Sequence, residues 1–404
     1  MGTAKDAEEF LGHHVTLRAS DDEDILGVVG PDTTDELLVL KPLTELTIGS
    51  AVVATNSAGL DVVHQIAELR IANESERAGG SEEVVRASAV QVGEVSVSGQ
   101  INLSRRILQP GTQLRPFAFS ARAFQEPDKS LIEIGEVLGT DLPVHVDLTA
   151  LTKGHMAVLG MTGMGKSTFT RNLALELGKS YPVVVVDQTG EYRKLGLPAW
   201  TPGVASTPGV SLKDLNRSPQ QHQEALTALE TLEKLGRAEF DAGAPVLHRI
   251  LISEEAHQFV PEPAMLGFNA PGRDESFKFG LLMMQVRKFG VSVVLVSQRT
   301  AVVAKSALSQ CENIVAFKSV DQTGLDYLGA MGGSTATHLL PRLRLGEAVL
   351  MGPAMSTQSA VGVRLKDHPG IGTAAPTGTP SSTQSAGAAA AAPPAATPPE
   401  PPPF

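Results

Sequence analysis

"MAVLGMTGMGKSTFTRNLALELGK", residues 156–179, decides the fold of the larger half of this chain. Its opening "MAVL" is an unbroken apolar run stopped by glycine, as a short buried strand would be. From Lys166 the apolar residues Phe169, Leu173 and Leu177 recur at helical spacing. Between the two lies Gly160-x4-Gly165-Lys166-Ser167. A strand, a glycine-bounded loop and a helix that begins Lys-Ser together form a phosphate cradle, because the loop amides and the helix N-terminus all point inward. In that cradle Gly160, Thr162, Gly163, Met164, Gly165, Lys166, Ser167 and Thr168 are the expected ATP-binding residues. Lys166 reaches the β- and γ-phosphates, and the Ser167 hydroxyl is the expected Mg²⁺ ligand.

The sequence that follows repeats the alternation of strand and helix. "YPVVVVDQTGEY" (181–192), "LHRILISEEAHQF" (247–259), "VSVVLVSQ" (291–298) and "NIVAFKS" (313–319) read as strands. "SPQQHQEALTALETLEKLGRAEF" (218–240) and "FGLLMMQVRKFG" (279–290) read as helices, the first with Ser218 as its N-cap. Buried strands separated by helices imply a mostly parallel, RecA-like sheet covered on both faces. The expected fold is therefore an α/β P-loop NTPase.

Such sheets put their chemistry at strand C-termini. Glu254 stands where a carboxylate holds Mg²⁺, and Glu255 where one activates the attacking water. Gln298, at the tip of another strand, is placed to sense the γ-phosphate or orient that water. Asp187 ends a strand in the same way. Arg287, Lys288 and Arg299 are cations that could complete the transition-state charge, as a neighbouring subunit often does for this kind of site. His257 reads as a structural, hydrogen-bonding histidine.

Upstream, "HHVTLRAS" (13–20), "DILGVVG" (24–30), "ELLVLKPL" (36–43), "SAVVAT" (50–55), "VVHQIAEL" (62–69) and "VQVGEVSVSG" (90–99) are short β-branched runs divided by turn residues. Their spacing suggests a small barrel. The expected organisation is a β-barrel at 1–100, a linking segment at 101–150, the ATPase domain at 151–366 and a Pro/Ala-rich tail at 367–404. The tail is too poor in apolar residues to offset the entropy of ordering, so disorder is expected there.

Composition narrows the function. The net charge is −11, but residues 1–150 hold 24 acidic residues against 11 basic, and residues 151–365 hold 18 against 21. The ATPase half can thus face DNA, while the acidic half suits protein docking better. One cysteine excludes a disulfide framework, and the histidines show no metal-ligand spacing, so zinc is not expected. No apolar run approaches the roughly 18 residues that span a bilayer, so a cytoplasmic protein without a membrane segment is expected. Aromatic residues are scarce at 4%, which leaves phosphate contacts rather than base stacking as the means of gripping DNA.

Read in order, these segments resemble one family, the HerA-type ATPases of the HerA/FtsK group, preceded by a HAS-type β-barrel. The resemblance rests on "IEIGEVLGTDLPVHVDLTALTKGHMAVLGMTGMGKST" (132–168), "VVVVDQTGEY" (183–192) and "ILISEEAHQFVP" (250–261). It is extended by "RKFGVSVVLVSQRTAVVAKSALSQCENIVAFK" (287–318) and "RLRLGEAVLMGPA" (342–354). It implies a homohexameric ring with ATP between subunits, duplex DNA in a central channel and a NurA-type nuclease on the barrel face, working together in end resection. It further implies Arg287 as the trans-acting arginine, Gln298 as the sensor and Asp187 as an accessory acid of the site. Two departures stand out: the interval from Tyr192 to Glu254 is shorter than the helical insertion of larger members, and Thr300 occupies a position that is usually proline. The short interval leaves room for another partner, such as an antiphage effector. A nucleotide-gated scaffold that moves nothing is a third reading, opposed by the presence of Glu255.

Overall fold

The computed structural model describes residues 25–29, 37–42, 46–71, 85–95, 101–102, 106, 108–117, 130–262, 265, 271–357 and 359–366. The run at 13–20, including His13 and His14, and the tail from 367 lie outside the described residues.

The first strands are β1 (Gly27–Val29), β2 (Leu37–Pro42), β3 (Ala51–Thr55), β4 (Asp61–Ile71), β5 (Val85–Val95), β6 (Ile101–Asn102) and β7 (Gln113–Pro116). They pair in the order β2-β1-β7-β3-β4-β5-β6, and β2 also pairs with β5, so six of the strands form a closed circuit. Val52, Ala54, Ile66, Ala87, Ala89 and Leu114 fill its interior. The alternation of Val52 and Ala54 on β3 is the period of two that a strand needs to keep one face inside. β7, which seats itself between β1 and β3, lies beyond residue 100, where the first domain was expected to end.

The second sheet has ten strands. They are β8 (Leu131–Val137), β9 (Pro143–Asp147), β10 (Met156–Leu159), β11 (Pro182–Asp187), β12 (Gly209–Asp214), β13 (Arg249–Ser253), β14 (Val291–Ser297), β15 (Asn313–Phe317), β16 (Glu347–Met351) and β17 (Val361–Leu365). Their order is β12-β11-β13-β14-β10-β15-β16-β17-β8-β9. The pairings from β12 to β15 are all parallel, and those from β15 through β16, β17 and β8 to β9 are antiparallel. The sequence reading missed β12, β16 and β17, and it placed β8 and β9 in a linking segment; all five belong to this sheet.

Both faces of the parallel core are buried. Ala157, Leu159, Val184, Val186, Leu251 and Val293 pack on one side, Met156, Val158, Val183, Val185, Ile250 and Val294 on the other. This is why those strands read as unbroken apolar runs rather than alternating ones. After the single turn α1 (Leu148–Leu151), the covering helices are α2 (Lys166–Gly178), α3 (Gln221–Asp241), α4 (Arg273–Val286) and, past the short α5 (Lys305–Leu308), α6 (Gln322–Leu339). Residues of α2 join one of these layers, and residues of α3, α4 and α6 the other. Ser218 is not the cap of α3: the helix begins after Gln220, and the Ser218 hydroxyl donates at 2.6 Å to Glu224, in the first turn of that helix. Among the described residues no helix is long and apolar enough to cross a membrane.

Candidate nucleotide site

The strand order brings four tips together, with β14 and β15 flanking β10 and β13 next to β14. The loop from β10 to α2 is shaped by close approach. Gly160 has φ +136°, and a Cβ there would lie 2.6 Å from Phe317 Cβ. Gly165, at φ +107°, caps α2 without a side chain, leaving the first amides of the helix open to a ligand. The loop is pinned to both flanking strands, since the Gly160 amide donates to Ser297 O (3.2 Å) and the Met161 amide to Lys318 O (2.9 Å). Thr162 is also bonded, through its hydroxyl, to the Gln298 amide oxygen. Gln298 therefore touches the phosphate loop directly.

Lys166 is buried, and its Nζ donates to Met161 O at 2.8 Å. Burial lowers its pKa, while Glu255, Glu254 and Glu191 oppose that shift. Three carboxylates thus lie within electrostatic reach of one ammonium.

Glu254 and Glu255 follow β13 directly. Glu254 is buried, and burial pushes its pKa up to about 7 against the opposing hydrogen bond from Tyr192, whose hydroxyl donates to Oε1 at 2.7 Å. Glu255 has φ 50° and ψ 47°, a left-handed conformation rare for a residue with a Cβ. His257 Nδ1 lies 3.2 Å from Glu255 Oε2 and 3.4 Å from the Ser297 hydroxyl. The Glu255 contact is an ion-pair distance without hydrogen-bond alignment, as that oxygen has no hydrogen-bond partner among the described residues.

Asp187 is fully buried, and its carboxylate is committed within its own loop. Oδ1 accepts from the Thr189 amide (2.8 Å), the Thr189 hydroxyl (2.7 Å) and the Gly190 amide (3.0 Å), and Oδ2 accepts from the Tyr192 amide (3.0 Å). These bonds fold 187–192 so that Tyr192, with no exposed surface, meets Glu254. Asp187 thus shapes the loop, and Tyr192 is the residue of that loop that reaches the site. Sequence reasoning did not single out Tyr192; its only signal was the last letter of D-x-x-G-E-Y.

Arg287 is not brought to this site. It precedes β14, whose far end carries Gln298, so a strand of seven residues, roughly 20 Å, separates them. There it pairs with Glu312, which precedes β15. Lys288 is beside it, over the Phe240 ring at 4.9 Å. Arg299 follows Gln298 at the correct end of the sheet and is exposed. A residue that the sequence reading left without a role, Gly346, donates its amide to Met164 O at 3.2 Å, so the turn before β16 closes on the phosphate loop.

Mg²⁺ fits the residues present. Ser167 Oγ and Glu254 Oε2 have no hydrogen bond among the described residues, so both are available as ligands, directly or through water. Among the described residues no group of three His, Cys, Asp or Glu side chains could hold a metal ion, so nucleotide phosphates and water would have to complete the shell.

Residues 132–236 match the family described as helicase HerA, central domain. The chain is 33% identical over 115 residues to a probable DNA double-strand break repair helicase HerA of Methanocaldococcus jannaschii, covering 28% of this chain and 22% of that protein. It is 28% identical over 184 residues to the DNA double-strand break repair helicase HerA of Sulfurisphaera tokodaii, covering 45% and 31%. The chain thus spans at most 31% of the length of the curated relatives named here. Among solved structures it is similar to the pCW3 conjugation coupling protein TcpA with ATPγS, at 11% identity, 85% and 88% coverage and a TM-score of 0.46. It is also similar to the genome packaging NTPase of Sulfolobus turreted icosahedral virus 2 with AMPPCP, at 15% identity, 52% and 97% coverage and a TM-score of 0.38. The phosphate loop lies inside the matched segment and the paired glutamates stand beside it, so this part of the chain is similar to the central domain of HerA helicases.

Proposed function

We propose that the chain is one subunit of a ring-shaped, ATP-driven DNA translocase or helicase. The observation that carries this reading is Glu255, whose carboxylate is held at a strand tip beside the Lys166 loop by a backbone conformation that its residue type resists. A protein that only bound nucleotide would have no use for a base at that place. In the proposed reaction Lys166 and the loop amides hold the β- and γ-phosphates, and Glu255 takes the proton of the attacking water. Gln298, joined to Thr162, relays the state of the loop to β14. Ser167 and Glu254 would hold Mg²⁺, which would supply neutralising charge to the phosphates. Arg287, remote from its own chain's loop, serves the neighbouring subunit, which makes a homohexamer the working unit.

Duplex DNA through a central channel and a NurA-type nuclease on the first sheet, read as a HAS-type barrel, complete the proposal, with end resection in the cytoplasm as its setting. The acidic first half supports a docked protein there rather than DNA. The short Tyr192–Glu254 interval favours a second reading of the partner, an antiphage effector in place of the nuclease.

The test is ATP hydrolysis by the purified protein with and without linear duplex DNA. Stimulation by DNA is expected, with turnover lost in Lys166→Ala and in Glu255→Gln, the latter still binding ATP. Arg287→Ala should be inactive alone and regain turnover in rings mixed with Lys166→Ala subunits. Hydrolysis that ignores DNA, or persists in Glu255→Gln, overturns the reading.

A further inference from the structure

Leu345 is the most exposed large hydrophobic residue of the described chain, at 72%. A single exposed leucine is ordinarily unremarked on a protein surface. This one is held in place by a rigid turn that is tied to the phosphate loop. The next residue, Gly346, has φ +77° and donates to Met164 O at 3.2 Å, while its own carbonyl accepts from the Leu365 amide at 2.9 Å. A Cβ on Gly165 would lie 3.7 Å from Gly346 Cα, so the turn stands against the mouth of the cradle. Glu347 closes the turn, accepting from the Arg344 amide through Oε2 (2.8 Å) and donating its own amide to Arg344 O (3.1 Å).

An exposed apolar side chain fixed beside a triphosphate cradle has an obvious complement. The phosphates leave the cradle attached to a ribose and a flat, largely apolar base, whose faces gain from leaving water. The turn also shows what it cannot do. The backbone amides and carbonyls of Arg344 and Gly346 are used within the chain, which leaves the backbone of Leu345 and the side chain of Arg344, both exposed residues, as the turn's remaining hydrogen-bonding groups. Strong discrimination between ligands requires buried hydrogen-bonding groups that the wrong ligand leaves unpaired; an apolar contact alone discriminates weakly.

We propose that Leu345 forms one wall of a nucleobase subsite that holds its ligand by contact area rather than by base-edge recognition, so that adenine and guanine nucleoside triphosphates bind about equally. The proposal rests on the nucleotide-binding reading of the P-loop. It adds a residue outside the phosphate motifs and a statement about which nucleotides the site accepts.

Calorimetric titration of the full chain with ATP, GTP and inorganic tripolyphosphate, each with Mg²⁺, tests it. Wild type should bind ATP and GTP within about threefold, since apolar contact and exposed polar groups on this turn discriminate weakly. Leu345→Ala should weaken both nucleotides on the order of tenfold, the loss of about 1.4 kcal/mol of contact, and leave tripolyphosphate unchanged. Leu345→Phe should retain or tighten nucleotide binding, which separates lost contact from a disturbed turn. Lys166→Ala should weaken all three ligands. Equal weakening of tripolyphosphate by Leu345→Ala, unchanged ATP binding in that variant, or a hundredfold preference of the wild type for one base overturns the subsite. Absence of any binding by the wild type overturns the P-loop reading, and the subsite with it.

Discussion

Glu255 holds a left-handed backbone at φ 50°, which for a residue with a Cβ costs roughly 1–2 kcal/mol. Such strain persists only where the surroundings impose it, and here the imposed geometry turns the carboxylate toward the phosphate loop. Replacing Glu255 by glycine should relieve the strain and separate stability from turnover. Glu255→Gly is expected to raise the unfolding free energy by about 1 kcal/mol, less a few tenths for the freer unfolded chain, while abolishing hydrolysis. Urea unfolding alongside an ATPase assay would check both halves. Glu255→Gln should lose hydrolysis without the gain in stability. The pair Glu254–Glu255 was legible in the sequence because two acids placed directly after a buried apolar strand rarely serve as surface charge alone. Tyr192 was not, because nothing in the spacing of a buried tyrosine tells which carboxylate lies opposite its hydroxyl.

The loop at 187–192 is held by a chain of hydrogen bonds, and its parts should fail together. Asp187→Ala orphans four donors at once, and Tyr192→Phe removes the hydroxyl from Glu254. A bond to a charged group contributes about 1.5–3 kcal/mol. Each single variant should therefore slow hydrolysis about tenfold or more, and the double variant should be little worse than Asp187→Ala alone, since the loop no longer delivers Tyr192. Additive effects on the rate would count against that chain of support. At this scale the reading from sequence divides by physical cause. The strands buried on both faces and the helix at 166–178 were visible, because continuous apolar runs and helical spacing each admit one reading. β12, β16 and β17 were missed because Gly, Ser, Lys, Asp, Glu or Arg interrupts or bounds their apolar runs, and because pairing within the sheet, which local spacing does not show, makes them strands. The cap expected of Ser218 failed because the chain turns through Arg217 at φ +70° and sends that hydroxyl to Glu224 instead.

For the molecule as a whole, a side-chain amide links the two sheets. Gln65, buried on β4, accepts from the Gly362 amide (2.7 Å) and donates to Gly362 O (3.0 Å), as a strand backbone would. Gln65→Leu keeps most of the volume but strands the Gly362 amide, while Gly362 O keeps its bond from the Leu138 amide (2.9 Å). The expected loss is about 1–3 kcal/mol, with separate unfolding of the two sheets appearing in calorimetry. A second property of the whole is its response to acid. Burial lowers the pKa of His64 and of His155 to about 4. His155 accepts from the Val293 amide (3.0 Å) at Nδ1 and faces Met283 O (3.0 Å) with Nε2, an arrangement that only the neutral ring satisfies. Both rings are neutral in either state above the unfolded value of 6.5, so their contribution is complete there. As pH falls from about 6.5 toward 4 the unfolded chain takes up protons first, and stability is lost across that window. Unfolding midpoints at a series of pH values should show the decline, with net proton uptake on unfolding near about pH 5.5.

The position of β17 has a consequence for synthesis. β8 is made early, yet the strand that covers its outer edge is Val361–Leu365, the last one of the sheet. Until the ribosome has delivered nearly the entire domain, the hairpin of β8 and β9 waits with open backbone groups, the kind of edge that recruits other chains. Completion of the domain is thus also the step that seals it, and a nascent chain arrested before Val361 would be a candidate for chaperone capture rather than a smaller folded domain.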